Sequence, residues 1–254
     1  LAARGATRTG AGYIQALVPE RAQGVLAIKL TEEMAIACPE TEAGALALDA
    51  LAPILAHASR ARALALGSGL SRDPAAAELA RRLVAEAPCP VVLDADGLNA
   101  FEGRAGALAR AGAPLVLTPH VGEMARLTGM EPEAIEATRI DTARRFAVEW
   151  NAVVVLKGAP TVTASPDGSA TVNATGNPGM ATAGMGDVLT GAIAALIAQG
   201  LDPHAAARLG VYLHGAAGDL AARERGPIGL AALDVAERMP AAIRDLARLR
   251  DPGP

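Results

Sequence analysis

The run Asn177-Pro178-Gly179-Met180-Ala181-Thr182-Ala183-Gly184-Met185-Gly186-Asp187-Val188-Leu189-Thr190-Gly191 is the part of this chain best suited to chemistry. Small residues and glycines lead directly into a long apolar stretch that reads as a helix starting near Asp187. Backbone N–H groups in such a loop can turn towards an anion, and the amino end of the helix adds favourable potential. Asp187 stands where that potential favours its charged form, suited to accept a proton from a hydroxyl group. A plain helix cap is the competing role.

Other reactive types follow short apolar runs: Gly67-Ser68-Gly69, Asp94 to Asn99, Thr118 to Glu123, and Lys157-Gly158. Only Lys29 and Lys157 are lysines among the 23 Lys plus Arg. Lys157 therefore reads either as a compact ammonium placed for an anion or as a lysine snorkelling at a strand end. His120, in a loop after a strand, reads as functional. Glu123 beside it is placed to bind substrate, orient a metal-bound water or favour a helix start. Asp94 and Asp96 form a close acidic pair with Asn99, suited to Mg2+ through water or to a sugar hydroxyl, with turn capping as the alternative. His57, His204 and His214 carry little functional weight, and His214 reads as a satisfied, partly buried histidine. His214 and Asp219 are five apart and do not share a helix face well. Cys38 and Cys89 read as reduced thiols of a cytoplasmic protein, and no His/Cys spacing fits structural zinc.

These residues need a scaffold that brings separate loops together. Apolar runs predict strands at Tyr13–Val18, Met34–Ala37, Ala63–Leu66, Val91–Asp94, Leu115–Thr118 and Val153–Lys157. A hairpin, Thr161–Ala164 and Ala170–Asn173, flanks Ser165-Pro166-Asp167-Gly168. Helices are expected at 45–58, 74–87, 104–112, 121–128, 132–150, 187–199, 203–223 and 232–248, several opened by Asp-Pro. Val91-Val92-Leu93 and Val153-Val154-Val155-Leu156 are apolar without alternation, as in central parallel strands. The alternation implies one α/β domain: a central, mainly parallel sheet with helices on both faces and a small β-hairpin. Ligands of such sheets bind beyond the carboxyl ends of the strands, where the polar loops above converge.

With 254 residues, 51% of them hydrophobic, the chain has ample core for a globular fold. Aromatic residues make up 2% and the formal net charge is −4, which argues against base stacking and phosphate-backbone binding. Charged residues interrupt every apolar run before about 18 residues accumulate, so no membrane helix is expected. The alanine- and arginine-rich composition has a bacterial, high-GC character.

Taken together, Gly179 to Gly191, Asp94 to Asn99, Thr118 to Glu123 and Lys157-Gly158 resemble the ADP-dependent NAD(P)H-hydrate dehydratases, a branch of the ribokinase-like superfamily. The likeness continues through Arg8 to Tyr13 and Gly210 to Gly215, covering nearly the whole chain. It implies a ribokinase-like fold and nicotinamide nucleotide repair: the 6S hydrate of NADH or NADPH (NADHX, NADPHX) is phosphorylated by ADP, then loses phosphate. Asp187 would be the catalytic base, with Gly184, Met185 and Gly186 as the anion hole. Gly69, His120 and Asp187 fall where the family contacts the hydrated nucleotide. Lys157, Gly158, Ala159, Pro160, Thr161 and Gly186 fall at its adenine-nucleotide segment. Mg2+ is expected mainly on phosphate oxygens and water, with Asp94, Asp96, Asn99 and Glu123 as further metal or substrate contacts.

The resemblance also implies a homo-oligomer, a tetramer among the forms expected, and an NAD(P)H-hydrate epimerase as fused or separate partner. Relatives carry a glycine- and alanine-rich stretch ahead of the region matching Leu1, and such a stretch is expected in the full protein. A true kinase of the superfamily, of hydroxyethylthiazole or hydroxymethylpyrimidine type, would share Asp187 but release a phosphorylated product. A non-catalytic nucleotide sensor would keep the pocket without turnover. Asp94 to Asn99 together with Thr118 to Glu123 favours the dehydratase.

Overall fold

The computed structural model describes residues 1–250. In chain order the elements are α1 (Ala2–Thr9), β1 (Gln15–Pro19), α2 (Glu20–Lys29), β2 (Met34–Cys38), α3 (Leu51–Ala58) and β3 (Leu64–Leu66). Next come α4 (Pro74–Glu86), β4 (Val91–Leu93), α5 (Ala95–Asn99), β5 (Leu115–Leu117), α6 (Val121–Thr128), α7 (Pro132–Ala137) and α8 (Arg139–Glu149). Last are β6 (Val153–Leu156), β7 (Val162–Ala164), β8 (Ala170–Val172), α9 (Met185–Ala198), α10 (Pro203–Arg225) and α11 (Ala232–Arg250).

Strands β3 to β8 form one six-stranded sheet in sequence order. β3 to β6 run parallel, and β7 and β8 are added antiparallel as the expected hairpin. β1 and β2 pair in parallel as a separate two-stranded sheet. Successive residues of a strand point to opposite faces, and the core divides accordingly. Val91, Leu93, Leu115, Leu117, Val154 and Leu156 pack with Ile54, Leu79, Leu83, Phe146 and Trp150 on one face. Val92, Val116, Val153 and Val155 pack with Val188, Ile193, Val211 and Val235 on the other. Helices cover both faces, which is why these strands carry no polar side.

The helices start and stop for local reasons. Asp73 and Asp202 cap α4 and α10, their carboxylates accepting from Ala75 N at 2.8 Å and His204 N at 3.0 Å, each followed by proline. The segment read as one helix over 132–150 is broken at Thr138, whose φ of −130° leaves the helical region. Residues 105–110 within the expected helix 104–112 form a 3-10 helix. α2, which contains no buried residue, and the short α5 are helices that the apolar patterning does not announce. α1 crosses α9 at backbone contact, since a side chain at Gly5 or Gly191 would overlap the other helix.

Among the described residues no helix is long and apolar enough to cross a membrane. Cys38 and Cys89 are buried free thiols, as expected, and burial pushes both thiols up in pKa. Because β3 to β6 are parallel, the loops after all four lie along one rim, where the amino end of α9 joins them.

Candidate active site

The approach to α9 is tied down before the helix begins. Asn177 Oδ1 accepts from Gly179 N at 3.0 Å, while its Nδ2 donates to Asp219 on α10 at 3.0 Å. Asp219 also accepts from Gly176 N at 3.0 Å. Gly184 then takes φ 87°, a left-handed turn that glycine adopts without strain, and α9 starts at Met185, two residues before the expected start. Met185 is buried and anchors this turn in the core. The first N–H groups of the helix have no carbonyl partner within it, and half-buried Asp187 lies in that first turn.

Opposite this turn stands a charged cluster assembled from three strand ends. Lys157, just after β6, donates from Nζ to Asp94 Oδ1 at 2.7 Å and lies 3.6 Å from Glu123 Oε2. Asp94 is 2% exposed, and its second oxygen accepts from Thr190 Oγ1 on α9 at 2.9 Å. A β-carbon at Gly186 would lie 3.1 Å from Lys157 Nζ and 3.3 Å from Asp94 Oδ2, so the helix start faces the ion pair directly. A buried ion pair of this kind is sustained only when its remaining donors and acceptors are satisfied. Thr190 does that for Asp94, and Glu123 sets a second carboxylate 3.6 Å from the ammonium. Lys157 is thus a paired ammonium rather than a snorkelling side chain.

His120 caps α6. Its Nδ1 accepts from Gly122 N at 3.0 Å and Glu123 N at 3.3 Å, and Glu123 Oε2 accepts from His120 N at 2.8 Å, a reciprocal capping box. With Nδ1 accepting, the ring proton belongs on Nε2, which lies 3.5 Å from Glu123 Oε1. Burial lowers the His120 pKa; Glu123 opposes this, and Lys157 and Arg126 add to it. The loops carrying His120 and Lys157 are joined by a backbone bridge, with Lys157 N donating to Pro119 O at 2.8 Å.

Two expectations require correction. Asp94 and Asp96 do not act as a pair: Asp94 makes no capping bond and turns inward to Lys157, whereas Asp96 accepts from Asn99 Nδ2 at 3.0 Å. Asn99 in turn accepts from Arg126 Nε at 2.9 Å, and Arg72 lies 4.0 Å from Asp96. The reason is burial, because a carboxylate at the end of a fully covered strand must find a cation. His214 is not a satisfied histidine either: its Nε2 is buried without a partner. Burial lowers its pKa to about 4, against an opposing hydrogen bond to the Met185 backbone.

Gly69 lies in the loop after β3 with φ 73° and open space beside it, and Ala159, Pro160 and Thr161 continue the loop from Lys157 into β7. Thr190 and Asp219 escape a motif reading. Thr190 reads as helix filler, although its place one turn after Asp187 could have pointed to the same face. No group of three His, Cys, Asp or Glu side chains able to hold a metal occurs among the described residues. A cleft of about 510 Å3 lined by Pro114, Asn151 and His204 lies at the amino ends of β5 and β6, away from this cluster.

The mainly parallel sheet with helices on both faces is the fold of ribokinase-like proteins. A ribokinase-like superfamily protein from Enterococcus faecalis superposes with a TM-score of 0.78 over 96% of this chain and 81% of that one, at 22% identity. The family described as NAD(P)H-hydrate dehydratase matches residues 1–241, and the chain belongs to it. The bifunctional NAD(P)H-hydrate repair enzyme Nnr of Moorella thermoacetica is 52% identical over 246 residues, covering 97% of this chain and 46% of that protein. The chain spans about half the length of the first curated relatives it matches. The ADP/ATP-dependent NAD(P)H-hydrate dehydratase of Bacillus subtilis, co-crystallized with ATP/Mg2+, is 31% identical with a TM-score of 0.78. That match covers 96% of this chain and 83% of the Bacillus chain.

Proposed function

We propose that the protein dehydrates the 6S hydrates of NADH and NADPH at the expense of ADP, giving NADH or NADPH, AMP and phosphate. The observation that carries this reading is the meeting of the α9 amino end with the Lys157–Asp94 pair at Gly186. Anion-binding amides, a carboxylate and an ammonium converge there, the groups a phosphoryl transfer needs. Family membership directs that chemistry to the hydrated nicotinamide ring.

Asp187 takes the proton of the C6 hydroxyl while the hydroxyl oxygen bonds to the terminal phosphorus of ADP and the bond to AMP breaks. A positioned base contributes about 10²–10⁴ in rate. The amides of Gly184, Met185 and Gly186 face the charge on the transferring group, and one such donor is worth roughly 3–4 kcal/mol in other enzymes. Loss of phosphate from C6, with a proton from the adjacent carbon, restores the ring double bond. Lys157, Gly158, Ala159, Pro160 and Thr161 form the nucleotide side, with Gly186; Gly69 and His120 form the hydrate side. Mg2+ neutralises phosphate charge when bound. Both Asp94 oxygens are engaged within the protein, so the residues that would help hold the ion, through water, are Asp96, Asn99 and Glu123.

The Bacillus enzyme's name and its ATP/Mg2+ complex support nucleotide and Mg2+ use. The bifunctional relatives support a companion repair activity, which we take to be an epimerase. We further read residues 1–254 as one domain of a cytoplasmic homo-oligomer with no nucleic-acid partner.

The test is incubation of the full-length protein with the 6S hydrate and ADP or ATP, following reduced-nicotinamide absorbance and released phosphate. Absorbance should return with ADP. Asp187→Asn should slow turnover about 10²–10⁴-fold while calorimetric ADP binding persists. No recovery with either nucleotide on folded protein overturns the proposal, and accumulation of a phosphorylated product assigns a kinase instead.

A further inference from the structure

Arg139 opens α8 directly after the break at Thr138, and its side chain is 8% exposed. It lies behind the loop that leaves β6. Nη2 donates to Leu156 O at 3.1 Å and Lys157 O at 3.0 Å, and Nε donates to Pro160 O at 3.1 Å. Nη1 donates to Glu136 Oε2 at 2.8 Å. One guanidinium therefore gathers three carbonyls from five consecutive residues. Between them Gly158 passes so close that a β-carbon would overlap Arg139, lying 2.8 Å from its Cζ.

We propose that Arg139 is the positioning residue of the Lys157–Thr161 segment, shaping it to receive the adenine nucleotide; this rests on the nucleotide reading given above. A trans peptide carries its C=O and N–H in opposite directions. Drawing the carbonyls of Lys157 and Pro160 onto the guanidinium turns the N–H groups of Gly158 and Thr161 away from it. Gly158 N then donates to Thr161 Oγ1 at 3.3 Å, and Thr161 Oγ1 donates back to Gly158 O at 3.0 Å, closing the loop on itself. Lys157 N is left to donate to Pro119 O at 2.8 Å, which fixes the root from which Nζ reaches Asp94. A planar, permanently charged fork with five donors can hold carbonyls in several directions at once, and a lysine ammonium cannot reproduce that spread. The helix break makes this possible, because a continuous helix over 132–150 would not open a new first turn at Arg139.

The experiment compares wild type, Arg139→Met and Arg139→Lys in the full-length protein. It measures ADP affinity by calorimetry, KM for the hydrate, and amide hydrogen exchange without ligand. Arg139→Met should raise the ADP Kd about tenfold to hundredfold with hydrate KM little changed, because misplacing a positioning group by an ångström is felt on that scale. Exchange should rise selectively across 157–161, leaving β4 and α9 as in wild type. Arg139→Lys should fall between the two, and it carries the test if Arg139→Met does not fold. A folded variant whose ADP Kd stays within about twofold of wild type, or whose exchange rises uniformly, overturns the proposal. Absence of ADP binding in wild type would instead overturn the nucleotide reading on which it stands.

Discussion

β4–β5 and β1–β2 are both parallel strand pairs, yet they occupy opposite extremes of packing. Every residue of β4 and β5 is buried, whereas β1 is half-exposed along its length and α2 beside it buries nothing. Apolar residues in short runs are enough to make either pair extend. Only the first has helices on both faces, so its loops emerge from a fixed base. The Lys157–Asp94–Thr190 cluster, His120 and the Arg139 grip all stand on that base, and none draws on the two-stranded sheet. The candidate site is placed where backbone position is determined by packing from two sides.

The comparison can be broken by substitutions that give similar costs in the two regions. Trp150→Ala, beneath α8 with a side chain 1% exposed, should cost about 3–5 kcal/mol in denaturant unfolding. Acid should act on the same packed half. Buried His214, with a pKa of about 4 against roughly 6.5 when unfolded, stays neutral while the unfolded chain takes up its proton. Stability is then full above about pH 6.5 and falls by about 3 kcal/mol as pH drops towards 4, a loss that His214→Gln should remove from the pH profile. Thr190→Val deprives buried Asp94 of one donor, and should cost about 1–3 kcal/mol in the same unfolding measurement. Ile28→Ser on α2, at a side chain 86% exposed, should change stability by no more than about 0.5 kcal/mol. A cost at Ile28 matching that at Trp150 would show that the two-stranded region is packed as firmly as the main sheet.

The strands were readable because each is an apolar run ended by a turn residue, and all eight lie where those runs fall, to within two residues at either end. The breaks were not. Thr138 sits inside an amphipathic pattern that continues across it, and only the reach of Arg139 towards the β6 loop distinguishes that position. α5 was hidden because Asp96, Gly97 and Asn99 are turn formers that here wind into five helical residues. In the site, the glycine-led run into α9 and the polar strand ends were legible by type and spacing. The partners of those residues were not: Asp94 meets Thr190 across 96 positions and Lys157 across 63. Arg139 gave no local signal, being one arginine in a chain whose basic residues are nearly all arginine. Its role is visible only when three carbonyls arrive at one guanidinium.

Helix α9 behaves mechanically as a rod pinned at its flank and at its foot. α1 presses on its backbone at Gly5 and Gly191, and β4 holds it through Asp94 and Thr190. A rod so pinned has little room to recoil, which on the proposed function would matter when a multiply charged phosphate chain approaches. Its dipole is aimed by the packing alone, so on the proposed function little reorientation would accompany turnover.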